Sequence, residues 1–177
     1  MSQTIKKYLP LFGIAAVIIV LDQVSKSYIR THLALGEMWS PWEWLTPYAR
    51  IVHWYNTGVA FGMFQGLGNI FKYLALLVAA VIIFYYPRVS DEDWSLRLAM
   101  SLQLGGALGN LIDRIFNNGM VTDFISVGNF PVFNIADSSI TVGVGVLLLG
   151  MWLQERKSSH PDDAVIPASS DLTVNEK

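Results

Sequence analysis

The chain has 177 residues, of which 53% are hydrophobic and 15% are charged, and its formal net charge is −2. A mean hydropathy of +0.41 is too apolar for an ordinary soluble domain of this length, so the composition predicts an integral membrane protein. The sequence contains no cysteine, which excludes disulfides, thiolate metal sites and a cysteine nucleophile, and no run of basic residues indicates nucleic-acid binding.

Four apolar segments follow one another along the chain, at about 8–29, 68–86, 96–116 and 135–155. Each is close to the roughly 20 residues that a helix needs to cross a bilayer. Lys6 and Lys7 before the first segment are typical of a signal peptide, but no small-residue cleavage site follows, so the segment is expected to remain as a span. Residues 1–157 are therefore predicted to form an all-α membrane domain with four transmembrane helices.

The long connection at about 31–69 is rich in aromatic residues, which favour the headgroup level of a bilayer. Its stretch Arg50–Phe61 is β-branched and aromatic and contains the breaker Asn56-Thr-Gly. We expect a small β-rich cradle here, as a hairpin or curled sheet outside the cytoplasm between helices 1 and 2. Residues 158–177 have little apolar periodicity and are expected to form a disordered cytoplasmic tail.

The charges within the four segments predict a common polar layer. The uncharged runs, 8–21, 73–87, 98–112 and 138–154, are each too short to cross a bilayer, so every span must include a charge near one end. With alternating directions, Asp22, Lys72, Asp113 and Asp137 all fall on the same side. Counting residues places the three aspartates roughly 20 to 26 Å from the inner boundary of a ~30 Å core. A modest excess of basic residues at the other ends favours cytoplasmic termini.

Asp123 and Asp137 are the predicted catalytic pair. Asp123 ends the short loop after the third segment, and Asp137 opens the fourth, so both can reach one cavity at the outer side. Two carboxylates that share a proton can act as base toward water and as acid toward a leaving amine. The structural alternative is a solvated loop aspartate and a helix-capping aspartate, and spacing alone does not decide between the two.

Two further charge pairs have structural interpretations. Asn110, Asp113 and Arg114 share a helical face, and we expect Asp113 and Arg114 to neutralise each other and to bond the adjoining strand or loop. On the same helix, Gly105 and Gly109 provide a surface for close approach to a neighbour. Asp22 and Lys26, four residues apart, are a similar self-compensating pair. They are as consistent with a membrane anchor as with a role at the site.

Other chemistries have weaker support. The turn at Asn56-Thr-Gly could bring an amide and backbone near a ligand, or be a plain hairpin turn. A Ser25–Lys26 hydrolase pair is disfavoured because adjacent helical residues point apart. His32, His53 and His160 lack metal-ligand spacing, so neither metal nor cofactor is expected.

Two other classes of protein remain as alternatives. Intramembrane Asp, Asn and Lys also build the proton relays of small transporters. A relay should continue inward, but the inner halves of the uncharged runs contain no ionisable side chain except tyrosines. A non-enzymatic membrane scaffold would not need several polar blocks at one depth.

Five sequence blocks together resemble the lipoprotein signal peptidase family, signal peptidase II. In chain order they are Asp22-Gln-Val-Ser-Lys26, Asn56-Thr-Gly-Val-Ala-Phe-Gly62, Gly105-Gly-Ala-Leu-Gly-Asn-Leu-Ile-Asp-Arg114, Val121-Thr-Asp-Phe124 and Phe130-Pro-Val-Phe-Asn-Ile-Ala-Asp137. The blocks extend over about two thirds of the chain.

The resemblance implies an aspartyl endopeptidase of the bacterial inner membrane, with Asp123 and Asp137 as its dyad near the outer leaflet surface. Its substrate would be a diacylglyceryl-modified prolipoprotein, cut on the amino side of the lipidated cysteine. It also implies a monomer in contact with membrane phospholipid and inhibition by globomycin-type peptides. The residues expected to bind substrate or support the site are Asp22, Lys26, Asn56, Gly58, Asn110, Asp113, Arg114, Asn134 and Ala136.

Overall fold

The computed structural model describes residues 3–58 and 66–158. Four helices and a three-stranded sheet make up this part of the chain. In chain order the elements are α1 (Gln3–His32), β1 (Met38–Trp39), β2 (Ala49–Asn56), α2 (Gly68–Tyr85), α3 (Trp94–Phe116), β3 (Val121–Val127) and α4 (Ile135–Ser158). Except for Ser158, the predicted tail lies outside the described residues, as do residues 59–65.

Three of the described helices are long and apolar enough to cross a membrane, over Ile5–His32, Gly68–Arg88 and Ile135–Arg156. Helix α3 is not among them, although its 23 residues extend about 35 Å. It contacts each of the other three helices and buries Ser95, Ser101, Asn110 and Asp113. These polar residues lower the hydropathy of α3, but they are buried against protein. The crossing of the bilayer by α3 stays a prediction.

Glycines on α3 allow its neighbours to approach closely. A Cβ atom at Gly105 would lie 2.7 Å from Cβ of Ile18 on α1, and one at Gly109 would lie 2.8 Å from the Asp22 carboxylate. On the α4 side, a Cβ at Gly106 would lie 2.5 Å from the carbonyl oxygen of Ala136. The close-approach surface predicted for Gly105 and Gly109 is therefore confirmed, and it faces α1.

The expected β-rich element is present as a small three-stranded sheet. Its strands run antiparallel in the order β1-β2-β3, with Met38 opposite Val52 and Trp54 opposite Asp123. Strand β2 ends at Asn56, and its partners among the described residues are β1 and β3. Since β3 follows α3, the β-rich region is not confined to the connection between α1 and α2. Positive φ angles at Asn118 and Gly119, 52° and 86°, help to turn the chain from α3 into β3.

The two ends of the helix bundle have different interiors. At the end where α1 begins, an apolar cluster fills the space between α1, α2 and α3. Its fully buried members are Leu11, Tyr86 and Leu104. We call the other end, where Asp22, Asp113 and Asp137 lie, the polar end.

The helix contact at Gly106 gives a stability test. Gly106→Ala should lower the free energy of unfolding by about 1–3 kcal/mol because the new methyl group meets the Ala136 carbonyl. The matched control is Gly145→Ala on α4, whose Cβ would meet no atom within 4 Å and should be neutral or stabilising by up to about 1 kcal/mol. Melting temperatures in detergent measure both. If Gly106→Ala melts as the wild type does, the helices are not in close contact at this position.

Candidate active site

A buried lysine lies at the centre of the polar end. The Lys26 ammonium is 2.8 Å from Asp22 Oδ2 and 3.3 Å from Asp113 Oδ2, and it donates to Asn110 Oδ1 at 3.0 Å. Lys26 and Asp22 are completely buried. Buried ions are tolerated when they are paired and hydrogen-bonded, and here each of the three ammonium protons has an acceptor.

The two carboxylates also bind the neighbouring elements. Asp22 Oδ1 accepts a hydrogen bond from the Ala136 amide at the start of α4, at 3.0 Å. Asp113 Oδ2 accepts from the Thr122 amide of β3 at 2.8 Å, and Asp113 Oδ1 lies 3.4 Å from Arg30. These bonds join α1, α3, β3 and α4 through one cluster, which we call the lysine cluster: Asp22, Lys26, Arg30 and Asp113. Its two acids and two bases have no net charge.

The predicted ion pair between Asp113 and Arg114 is wrong. Consecutive helical residues point about 100° apart, so Asp113 faces α1 whereas Arg114 lies toward α2. Arg114 donates to the carbonyl oxygens of Gly58 at 3.4 Å and Asn110 at 3.5 Å, and its guanidinium lies 5.7 Å from the ring centroid of Phe71. Its buried Nε has no hydrogen-bond partner among the described residues. The predicted bond from Asp113 to the adjoining strand is present.

The start of α4 is a reciprocal cap. Asn134 Oδ1 accepts from the Asp137 amide at 2.9 Å, and Asp137 Oδ2 accepts from the Asn134 amide at 3.3 Å. This capping-box arrangement satisfies two backbone donors at a helix start. The capping alternative therefore describes part of what Asp137 does, but its other carboxylate oxygen accepts from Asn110 Nδ2 at 2.8 Å. Capping and a place at the site are compatible.

Asp123 is not a solvated loop residue. It lies in β3 with 1% of its surface exposed. Asn134 Nδ2 donates to its Oδ1 at 2.6 Å, and Asn56 Nδ2 donates to its Oδ2 at 3.0 Å. Burial, and next the negative charge of Asp137, raise the pKa of Asp123 from 3.8 to about 7.

Asn110 and Asn134 connect the two aspartates. Asn134 Nδ2 donates to Asn110 Oδ1 at 3.1 Å as well as to Asp123, and Asn110 donates in turn to Asp137. The two carboxylates therefore come from different elements, β3 and α4, and share one amide network. Both border a cavity of about 700 Å³.

The wall of this cavity combines a small polar patch with a large apolar surface. Asn56, Asn110 and Arg114 lie beside the aspartates. The apolar part comes from α2, α4 and the loop before α4, and includes Phe71, Leu74, Val78, Phe130, Phe133, Ile140 and Val142. Ligand cavities are commonly mostly apolar with a few convergent polar groups. Among residues 3–58 and 66–158, no group of three or more metal-ligand side chains lies together.

The structure places every predicted site residue at the polar end, in two groups. Asp123, Asp137, Asn56, Gly58, Asn110 and Arg114 border the cavity. Asp22, Lys26, Asp113, Asn134 and Ala136 are buried behind it. Sequence reasoning missed Arg30 and Thr122, which bond each other at 3.0 Å. Arg30 had a usable signal, because it continues the four-residue spacing of Asp22 and Lys26.

Comparison with known proteins decides the family. A family model described as signal peptidase (SPase) II matches residues 14–153. The chain belongs to the signal peptidase II family. It is therefore a member of a family of peptidases, as the five sequence blocks predict.

Curated relatives agree over most of the chain. A lipoprotein signal peptidase of Shouchella clausii is 37% identical over 150 residues, which cover 83% of this chain and 95% of the relative. One of Halalkalibacterium halodurans is 38% identical over 158 residues, covering 85% and 97%. A solved structure described as a bacterial membrane enzyme, obtained by the in meso method at 2.3 Å resolution, matches with a TM-score of 0.75 and 30% identity. It covers 88% of this chain and 93% of its own. This signal peptidase II homologue therefore shares its fold with a membrane enzyme.

The lysine cluster predicts that removing the charge of Lys26 destabilises the protein more than removing the charge of Arg114. Lys26→Met should cost about 3–5 kcal/mol of unfolding free energy, because Asp22 and Asp113 lose the cation that they share in a buried place. Arg114→Met is the matched comparison, since Arg114 forms no ion pair within the described residues and is only partly buried. Yield and melting temperature in detergent measure both. Equal stability of the two variants would contradict a central structural role for Lys26.

The raised pKa of Asp123 predicts a pH-dependent stability. In the unfolded chain the Asp123 carboxyl ionises with a pKa near 3.8, whereas in the folded protein it stays neutral up to a pKa of about 7. Wild-type stability is therefore lost as pH rises from about 4 to about 7. Asp123→Asn has no carboxyl to ionise. The melting temperature of this variant relative to wild type should therefore increase between pH 4 and pH 8. A difference that does not change with pH would refute the raised pKa.

Proposed function

We propose that this protein is an aspartic endopeptidase that removes the signal peptide from prolipoproteins, with Asp123 and Asp137 as its catalytic dyad. The observation that supports the mechanism most directly is the position of these carboxylates on one cavity wall, joined through Asn134 and Asn110. The names of the relatives, lipoprotein signal peptidases, support the substrate class.

In the proposed reaction, Asp123 begins protonated and Asp137 ionised. Asp137 takes a proton from a water molecule, whose oxygen attacks the scissile carbonyl, while Asp123 donates its proton to the carbonyl oxygen. In the second step Asp123 takes back a proton from the tetrahedral intermediate, the C–N bond breaks, and Asp137 protonates the leaving amine. Both aspartates return to their first state, as general acid–base catalysis by a carboxyl pair requires.

The assignment of the resting proton to Asp123 is supported by the surroundings of its carboxyl group. The pKa of Asp123 is raised to about 7, first by burial and then by the charge of Asp137. Asp137 lies at the first turn of α4, where its carboxylate accepts hydrogen bonds from the Asn134 amide and from Asn110 Nδ2. Since the two groups interact, their macroscopic pKa values belong to the pair.

The apolar part of the cavity suits a substrate with lipid chains. Phe71, Leu74 and Val78 on α2 face Ile140 and Val142 on α4 across the cavity that contains the dyad. We propose that the diacylglyceryl group of a modified cysteine lies along this wall and that the bond on the amino side of that cysteine is cut. A globomycin-type peptide would compete for the same cavity. We propose that the enzyme acts as a monomer among membrane phospholipids.

We further propose that α3 crosses the bacterial inner membrane with α1, α2 and α4, with both termini in the cytoplasm and the dyad near the outer leaflet. Large apolar side chains remain exposed along α1, α2 and α4, which supports their contact with lipid. Reporter fusions in the 31–58 connection and at the carboxyl end should then report opposite sides. Reports from the same side would refute this topology.

The dyad proposal is tested with conservative amides. Asp123→Asn and Asp137→Asn should each lower the cleavage rate of a diacylglyceryl-modified prolipoprotein by at least about 1,000-fold, because the amide keeps the shape and loses the acid or base. Binding of the lipopeptide should remain. Wild-type kcat/KM should follow a bell-shaped pH profile whose alkaline limb falls near pH 7, where Asp123 loses its proton.

The matched control is Asp93→Asn, at the amino-terminal cap of α3, where the side chain accepts from the Leu96 amide. Asparagine also caps helices well, so this variant should cleave at the wild-type rate. A folded Asp123→Asn or Asp137→Asn protein with near-normal cleavage would overturn the mechanism.

A further inference from the structure

A second cavity, of about 500 Å³, lies at the end of the bundle opposite the dyad. Its walls come mainly from the first turns of α1 and α3, and include Lys6, Lys7, Pro10, Trp94, Arg97 and Leu98. Lys6 precedes Asp22 on α1 by sixteen residues, and Arg97 precedes Asp113 on α3 by the same number. Both helices therefore place this cavity about 24 Å from the polar end. It is not part of the proposed catalytic cavity.

The charge of this cavity is unbalanced. Three basic residues, Lys6, Lys7 and Arg97, line it with one acid, Asp91. Asp91 is already paired with Arg97. Lys6 and Lys7 are exposed, and neither has an ion-pair partner among the described residues. Two free ammonium groups therefore remain at the cavity edge.

Arg97 holds the elements around this cavity together. Besides Asp91, its guanidinium donates to the carbonyl oxygen of Lys7 at 3.3 Å and to the Tyr86 hydroxyl at 3.4 Å. It also lies over the ring of the completely buried Tyr86, 4.8 Å from the centroid. These contacts join α1, α3 and the end of α2. The backbone that presents Lys7 is thus attached to the floor of the cavity.

The rest of the cavity wall is apolar. Pro10, Ile14 and Leu98 continue from the lysines along the helices. Trp94, which is 56% exposed, lies at the rim, and tryptophan favours the level of lipid headgroups. A ligand that matches both features carries a phosphate beside an apolar chain. Basic pockets between transmembrane helices bind anionic headgroups in this way.

We infer that this cavity binds one anionic phospholipid, with its phosphate on Lys6 and Lys7 and the first part of an acyl chain against Pro10, Ile14 and Leu98. A zwitterionic lipid fits less well, because its headgroup also brings a positive charge to the lysines. The inference does not depend on the proposed peptidase mechanism, since none of these residues borders the dyad.

The test measures lipid binding to the full-length protein in neutral detergent by native mass spectrometry. Phosphatidylglycerol and phosphatidylcholine with identical acyl chains are compared, and soluble glycerol phosphate serves as a competitor. We expect one phosphatidylglycerol to be retained in preference to phosphatidylcholine. The double variant Lys6→Gln/Lys7→Gln should bind it about thirtyfold more weakly, the effect expected for two lysines near an anionic headgroup.

The matched control is Arg88→Gln/Arg156→Gln. It removes two exposed charges from the same end of the bundle, and neither residue lines the cavity. It should bind phosphatidylglycerol as the wild type does. If both double variants bind phosphatidylglycerol equally weakly, general surface charge accounts for the binding and the lipid site is overturned. Undiminished binding by the lysine variant, or competition by glycerol phosphate at concentrations equal to those of the lipid, would overturn the lipid site. Cleavage is not the readout, so failure of the dyad proposal would leave this result unaffected.

Discussion

The buried Lys26 ammonium is the interaction on which the polar end depends. Three helices and a strand meet there because the two carboxylates that neutralise Lys26, those of Asp22 and Asp113, also each accept a hydrogen bond from a backbone amide. One amide opens α4 and the other lies in β3. The positions of Asp137 and Asp123 are set one residue beyond these two amides, at Ala136 and Thr122. Charge neutralisation between α1 and α3 therefore also fixes where Asp123 and Asp137 lie.

The same lysine determines the orientation of an amide. An ammonium group can only donate, so the Asn110 side chain must turn its oxygen toward Lys26 and its NH₂ toward Asp137. Asn134 then donates to Asn110 and to Asp123, and its own oxygen caps the Asp137 amide. The buried charge of Lys26 thus sets the orientation of both asparagine side chains, and through them the donors that face Asp123 and Asp137. Turning either amide over would lose hydrogen bonds.

The sequence predicts features that depend on local spacing better than contacts between residues far apart in the chain. The four helices, the Gly105–Gly109 contact and the position of the helix aspartates at one end of the bundle depend on spacing within single segments, which a sequence contains directly. The Asp113–Arg114 pair was wrong, and strand β3 was missed, for one reason: in both, a local interpretation was preferred to a partner far away in the sequence. Val121 pairs with Asn56, and Asp113 with Lys26, across long separations that local periodicity does not encode.

The distribution of cations supports the proposal that a proton remains on the pair of Asp123 and Asp137. Lys26 and Arg30 are committed to Asp22 and Asp113, and within the described residues Asp123 and Asp137 form no ion pair, only hydrogen bonds to amides. Arg114 lines the same cavity, but its guanidinium bonds to backbone carbonyl oxygens. In the proposed mechanism one of the two stays protonated, because a buried Asp123 and a partly buried Asp137 with amide donors alone cannot both ionise at low cost. The lysine cluster joins the helices without forming an ion pair with Asp123 or Asp137, and this separation leaves the proposed dyad able to hold one proton as an acid and a base.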